Sequence, residues 1–333
     1  MKIAIDAMGG DNAPLAIIDG ISLFLKEFKD VELILVGQKD LIVEHLRRVG
    51  LESSPKITIE HADEVIGMGD SPVKALRVKK SASMVVMMDL LKEGKVDGVL
   101  SAGNTGGVVA AATLKLRTLK NIDRPGIATV IPTPYGRNIL MDVGAVSDCK
   151  PKNLFQFAIM GMCMSKFIMG IDNPTVGLLN VGEEDSKGNE LTKEAFAKLK
   201  ESKLNFIGNV EGKDIFKSTA NVIVTDGFVG NVVLKACESL AKGLFSVIKK
   251  EIKSSFFGLI GGLLLKKPFG KVLRQFDYEE YGGALLLGVN GVVIISHGSS
   301  SPWAIRNAIN VAVKMVKSKV NEEISKKLEI FHD

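Results

Sequence analysis

Tyrosine, tryptophan and cysteine are scarce in this chain. Its 333 residues include one tryptophan, three tyrosines and three cysteines. Without stacking platforms interleaved with basic residues, and with a net charge of only +5, the sequence argues against nucleic acid as a partner. Cys149, Cys163 and Cys237 lie far apart with no CxxC spacing, which excludes a disulfide framework and a zinc pattern and leaves buried thiols in a reducing compartment. No apolar run approaches the roughly twenty residues that span a bilayer. No signal-peptide core precedes the opening strand Lys2-Ile3-Ala4-Ile5, so a cytoplasmic protein is expected. Neither G-x-G-x-x-G nor a P-loop occurs, so a nucleotide is not implied. The serines of His297-Gly298-Ser299-Ser300-Ser301 do not form the G-x-S-x-G elbow of a serine hydrolase. No metal or other cofactor is expected.

What is plentiful is glycine, 34 residues, within a composition that is 46% hydrophobic and 24% charged. That describes a compact chain, one α/β unit over 1–333 or two lobes around a cleft. Short Val- and Ile-rich runs recur at Ile3–Ile5, Leu33–Val36, Val96–Leu100, Ile127–Ile131, Ile139–Met141, Val176–Leu179, Val222–Val224 and Val292–Ile295. Continuously apolar strands alternating with helical patterns predict a doubly wound, largely parallel sheet covered on both faces. In such sheets ligands sit at the carboxyl ends of the strands. Here those ends pair glycine with a polar residue repeatedly: Asp6 to Asp11, Ser101 to Asn104, Asp142-Val143-Gly144, Asn180-Val181-Gly182, Asp226-Gly227 and Ser296-His297-Gly298.

The central stretch is Val99 to Gly107. An apolar strand runs into Ser101, Gly103, Asn104, Thr105 and Gly106, and an apolar helix follows. Glycines let backbone approach a ligand closely, and the first helical N–H groups lack internal partners, so the turn suits phosphate, with Asn104 as an added donor. Taken alone it is equally an ordinary tight turn. In the first loop, Gly9 and Gly10 follow the opening strand, while Asp6 and Asp11 either bind a metal or, with no third ligand at fixed spacing, hold loop N–H groups. Lys74, Arg77, Lys79 and Lys80 form a basic run that is either a solvated face or a dock for an acidic protein. Lys187 is the one cation in the polar loop 180–190, and Asp226 to Asn231 open a helix containing Lys235. Of four histidines only His297 sits at a strand end beside glycine; His45 and His61 have surface contexts and His332 is in the tail.

One segment stands apart. Phe256, Phe257, Leu259, Ile260, Leu263 and Leu264 belong to a ten-residue run, Phe256 to Leu265, without a polar side chain. Lys249, Lys250 and Lys253 precede it, and Lys266, Lys267, Lys271 and Arg274 follow. An apolar tip with basic shoulders, projecting as a helical hairpin over about 250–275, predicts contact with an anionic membrane surface, or else a cap over an apolar ligand or a dimer partner.

In order, Asp6-Ala7-Met8-Gly9-Gly10-Asp11, Ser101-Ala102-Gly103-Asn104-Thr105-Gly106, Arg124-Pro125-Gly126-Ile127-Ala128, Asn180-Val181-Gly182-Glu183, Gly208-Asn209-Val210-Glu211-Gly212, Thr225 to Asn231, Tyr281-Gly282-Gly283-Ala284 and His297-Gly298-Ser299-Ser300 resemble the bacterial phosphate acyltransferase family of phospholipid synthesis from end to end. Leu285, Gly107 and Ser301-Pro302-Trp303 depart from its usual pattern. The resemblance implies an isocitrate-dehydrogenase-like fold related to phosphotransacetylases, usually homodimeric. It implies transfer of a fatty acyl group from acyl carrier protein to inorganic phosphate, giving an acyl phosphate. It further implies a cytoplasmic enzyme held peripherally at the membrane, with a membrane acyltransferase consuming the product. Phosphotransacetylase-like action on acyl-CoA, or a non-catalytic lipid or carrier-protein adaptor, are the alternatives. Suitable donors for an oxyanion and an oriented phosphate are Lys187, His297, Asn231 and Arg124, beside the strand-end residues Asp6, Asp142, Asn180 and Asp226.

Overall fold

The computed structural model describes residues 1–28, 30–276 and 278–331; His332 and the side chain of Arg274 lie outside them. Strands β1 (Lys2–Asp6), β2 (Glu32–Gly37), β3 (Ile57–His61) and β4 (Gly98–Ser101) come first, and β5 (Gly126–Thr133) and β6 (Gly136–Met141) form a hairpin. Then come β7 (Val176–Leu179), β8 (Phe206–Val210), β9 (Val222–Val224), β10 (Ala284–Leu287) and β11 (Val292–Ile295). The helices are α1 (Leu15–Glu27), α2 (Lys39–Arg48), α3 (Pro72–Val78), α4 (Ser83–Lys92), α5 (Thr105–Lys115) and α6 (Pro151–Met169). After these lie α7 (Glu190–Glu201), α8 (Gly227–Lys253), α9 (Phe256–Leu264), α10 (Lys266–Phe276), α11 (Pro302–Ser318) and α12 (Val320–Phe331).

All eleven strands join one sheet in the order β3-β2-β1-β4-β11-β10-β5-β6-β9-β7-β8. Neighbouring strand residues face opposite sides and are buried on both: Leu100 packs in the core on the α1, α6, α11 side and Val99 in the core on the α4, α5 side. Two-sided burial is why the strands read as unbroken apolar runs. The fold is doubly wound α/β, as the sequence predicts, and all eight expected strands are present. Three strands escape the apolar-run criterion. β3 and β8 are the two edge strands with exposed positions, and β10 is Ala-Leu-Leu-Leu, without a β-branched residue.

Seven strand pairings are parallel and three antiparallel, the latter being β11–β10, β10–β5 and β5–β6. Three reversals in succession have a large consequence. The strands β1, β2, β3, β4 and β11 run one way; β6, β7, β8 and β9 run the other. Their carboxyl ends therefore lie at two opposite edges of the sheet, not along one crevice.

The long helix α8 starts at the second edge, where Asp226 caps it and Gly227 N–H donates to Val146 O at 2.8 Å. Only Gly227 and Gly230 of its 27 residues are buried. A β-carbon on Gly230 would lie 1.8 Å from the Asp142 carbonyl oxygen, so glycine here is a packing requirement. Gly230→Ala should displace α8 or the Asp142 loop and lower stability by about 2 kcal/mol or more, read from the urea midpoint at unchanged slope.

Candidate active site

At the first edge four segments converge. The β1–α1 loop carries Asp6, Gly9, Gly10 and Asp11, and the β4–α5 turn carries Ser101 to Thr105. The β11–α11 turn carries Ser296 to Ser301, and loop 64–71 lies over them. Asp6 is buried, and its carboxylate accepts from Ser101 Oγ at 2.8 Å and from Met8 N–H at 3.1 Å. Ser101 Oγ in turn accepts from Gly103 N–H at 3.0 Å. Burial pushes the Asp6 carboxyl above the usual range, and hydrogen bonds from Ser83, Ser101, Met8 and Gly9 oppose that shift. Of the two roles open to Asp6, it takes the one that holds the loop. A β-carbon on Gly9 would stand 2.6 Å from Asp6 Oδ2 and 2.8 Å from Gly103 N, which shows how closely the two turns are pressed. Asp11 N–H donates to Gly298 O at 2.8 Å, fastening the first loop to the His297 turn.

Asn104 departs from expectation. Its Oδ1 accepts from Gly107 N–H at 2.9 Å, capping α5, and its Nδ2 faces the carbonyls of Gly67, Met68 and Asp70 at 3.3, 3.0 and 3.1 Å. The amide is spent on protein partners. The start of α5 leaves its first backbone N–H groups, including those of Thr105 and Gly106, without intrahelical partners, the arrangement that suits an anion.

His297 lies at the same edge with its side chain open to solvent. Ser299 N–H donates to its Nδ1 at 3.2 Å and Ser299 Oγ lies at 2.8 Å, so Nδ1 accepts and the neutral ring carries its proton on Nε2. Partial desolvation of the ring pulls its pKa below the ordinary value. Lys235 and Lys242 push the same way, while Glu238 and Asp11 push against. Lys235, Glu238 and Lys242 belong to α8, which comes from the far edge to the histidine, and Asp11 belongs to the β1–α1 loop. A neutral imidazole with Nε2–H is a hydrogen-bond donor to developing negative charge.

The second edge holds the remaining candidates. Asp142 is fully buried. Its Oδ1 accepts from the N–H groups of Ile127, Gly144 and Ala145, and its Oδ2 from those of Ala145 and Val146, all at 2.8–3.1 Å. Burial raises its pKa despite these bonds. Asp226 caps α8 by accepting from Phe228 and Val229 N–H. Asn180 bridges Val181 N–H and Lys187 O. Arg124 precedes β5 and is exposed, Asn231 lies beside Gly144, and Lys187 is exposed in its loop. Five strand intervals separate β7, which carries the Lys187 loop, from β11, which carries His297. At ~4.8 Å each that is about 24 Å before the opposed edges are counted, so one chain does not bring Lys187 and His297 together.

In the basic run, Lys74, Arg77 and Lys80 are exposed. Lys79 turns inward, its Nζ 2.6 Å from Asp70 Oδ2 and 2.8 Å from Val65 O. The sequence reading passed over Asp70, Met68 and Lys242. Gly67-Met68-Gly69-Asp70-Ser71-Pro72 carries the glycine–proline signature of an ordered turn, and Lys235, Glu238 and Lys242 share one helical stripe, so both signals were present.

A family profile described as "Fatty acid synthesis protein" matches residues 1–323. A phosphate acyltransferase of Dictyoglomus turgidum is 51% identical over 326 residues, covering 97% of this chain and 96% of that one. The chain belongs to the phosphate acyltransferase family. It is thus an enzyme, an acyltransferase. The family's member from Desulfitobacterium hafniense is 49% identical, covering 99% of this chain and 98% of its own. Among solved structures, a phosphotransacetylase from Streptococcus pyogenes shares the fold with a TM-score of 0.61 at 18% identity, covering 97% of this chain and 94% of that one.

If His297 must be neutral for turnover, activity falls as pH drops through a value below 6.5, the ordinary histidine value. Lys235→Gln removes a cation facing it and frees Glu238, which Lys235 binds at 2.9 Å; both effects raise the histidine pKa. The acid limb of the kcat/KM profile should therefore move to higher pH in that variant.

Proposed function

We propose that this enzyme transfers a long-chain fatty acyl group from the thioester of acyl carrier protein to inorganic phosphate, releasing acyl phosphate and the free carrier thiol. The observation that carries the reading is the fastened set of three glycine turns at the first edge, with its buried acidic side chain, Asp6, spent on internal donors and His297 presenting a donor nitrogen. Family membership and a fold shared with a phosphotransacetylase support it.

The chemistry needs little else. A phosphate oxygen forms a bond to the thioester carbonyl carbon, the carbonyl oxygen gains charge in the tetrahedral intermediate, and the carbon–sulfur bond breaks. The thiolate then takes a proton. No covalent enzyme intermediate is required, because orientation and preorganised donors lower the barrier. The backbone N–H groups of residues 9–10 and 103–106 are assigned to phosphate, and His297 Nε2–H to the developing oxyanion. Lys187, Arg124, Asn180 and Asn231, at the other edge, take no part in this assignment; Asp142 and Asp226 organise backbone.

The carrier protein is acidic, and the exposed cations Lys74, Arg77 and Lys80 on and beside α3 are its proposed dock, chiefly through faster association at low salt. The apolar segment forms α9, packed across the end of α8, where Gly258 and Gly262 approach Ile252. Phe256, Phe257, Leu263 and Leu264 are 72–84% exposed, and none of the residues of α9 is buried. No helix among the described residues is long and apolar enough to cross a membrane. We assign α9 to peripheral binding at an anionic bilayer surface, where an unstable acyl phosphate passes to a membrane acyltransferase. Each Leu or Phe withdrawn from water contributes about 1.5–3 kcal/mol, and each flanking lysine about 1 kcal/mol next to anionic lipid. The exposed apolar face of α8, with Val232, Leu240, Leu244 and Val247, is the proposed homodimer contact.

Acyl phosphate should form from long-chain acyl carrier protein far faster than from acetyl-CoA. Equal or faster use of acetyl-CoA would favour the phosphotransacetylase reading. Leu259→Glu with Leu263→Glu should abolish flotation with anionic vesicles and leave the dimer intact; a monomeric product, or undiminished flotation, contradicts the membrane assignment.

A further inference from the structure

Loop 64–71 is pinned at both ends and in the middle. Glu64 accepts from Ser81 N–H and Oγ, at 3.1 and 2.7 Å. Asp70 Oδ2 accepts from Gly67 N–H at 2.9 Å and from Lys79 Nζ at 2.6 Å, and the same ammonium reaches Val65 O at 2.8 Å. This closed arrangement points the carbonyls of Gly67, Met68 and Asp70 at the Asn104 amide. Immediately after it, Pro72 lies against Gly106, where a β-carbon would stand 2.9 Å from Pro72 Cγ. Met68 Cε reaches Gly298 of the histidine turn in the same close way.

The Asn104 side chain therefore has two ends with different duties. Oδ1 caps the first turn of α5, and Nδ2 is oriented by three carbonyls that hold their places only while the loop is closed. Asn104 cannot keep Oδ1 on Gly107 N–H if those carbonyls swing away without losing three acceptors at once. The ion pair is partly exposed, and a pair of that kind contributes little to global stability. What it fixes is local: the shape of one loop, and through it the direction in which the α5 N–H groups point.

We propose that Lys79 and Asp70 are positioning residues for the glycine turn, their ion pair strapping loop 64–71 onto Asn104 and so ordering the start of α5. Lys79 is thereby removed from the basic docking surface, which consists of Lys74, Arg77 and Lys80. The expected effect on catalysis rests on the proposal that this turn takes phosphate.

The test uses Lys79→Met, Asp70→Asn, Lys79→Arg and the exchanged pair Lys79→Asp with Asp70→Lys in the full chain. Hydrogen exchange at residues 102–108 and steady-state constants for inorganic phosphate and for acyl carrier protein are measured together. The first two variants should speed exchange at the turn and raise the KM for phosphate about three- to tenfold, with the carrier KM unchanged. Lys79→Arg, which keeps a donor for Asp70 and Val65 O, should restore both, whereas the exchanged pair, which leaves Gly67 N–H without its carboxylate acceptor, should behave like the first two variants. Unchanged exchange at 102–108 in the first two variants overturns the strap. So does a rise in carrier KM for Lys79→Met that Asp70→Asn does not share, because that is the behaviour of a docking lysine. Faster exchange with an unchanged phosphate KM upholds the strap and removes phosphate from this turn.

Discussion

The reversal of strand sense through β11, β10, β5 and β6 is the constraint on which the rest of this structure depends. The β11–β10, β10–β5 and β5–β6 pairings are all antiparallel, an odd number of reversals, so the two parallel halves of the sheet point in opposite directions. Glycine-and-polar strand ends that look interchangeable in the sequence are thereby sorted into two groups. One group, from β1, β4 and β11, gathers the fastened turns and His297. The other, from β6, β7 and β9, receives Arg124, Asp142, Asn180, Lys187 and Asp226. The connection between them is α8, which begins on the second group and carries Lys235, Glu238 and Lys242 to the histidine of the first.

Each group is organised around a buried carboxylate. Asp6 and Asp142 both follow the apolar core of a strand, and burial shifts both toward the neutral form. An unpartnered carboxylate at such a depth is strongly unfavourable, and each is stabilised by surrounding donors instead. Asp142 takes backbone N–H groups only and shapes the loop that seats α8. Asp6 takes a serine hydroxyl that in turn holds Gly103, so one acid sets the spacing between two turns. Each of these two carboxylates is surrounded by hydrogen-bond donors and serves to shape the backbone around it.

Much of this was legible in the sequence, and the remainder fails for physical reasons. Strands buried on both faces announce themselves as unbroken apolar runs, and β1, β4, β7, β9 and β11 were found that way. Their direction was not legible, because a run such as Ile127–Ile131 looks the same whether its neighbours are parallel or antiparallel. Edge strands β3 and β8 lack the second buried face and so lack the signal. Asn104, Asp142 and Asp226 are legible as polar residues at strand ends, yet residue type does not say whether a side chain turns to a ligand or to its own backbone. All three turn to backbone. Lys79 shows the same ambiguity in a charge run: three cations of that run are exposed, and the fourth is inside an ion pair that only the fold of loop 64–71 creates.

The central claim is that the three fastened turns of the first edge hold the acceptor anion. Amide-resolved NMR of the deuterated full chain, titrated with inorganic phosphate, tests it most directly. The account predicts that amides of residues 9–11, 103–106 and 298–300 shift together along one saturation curve, with loops 142–146 and 180–190 unaffected. Saturable shifts confined to those two loops would place the anion at the opposite edge and contradict it.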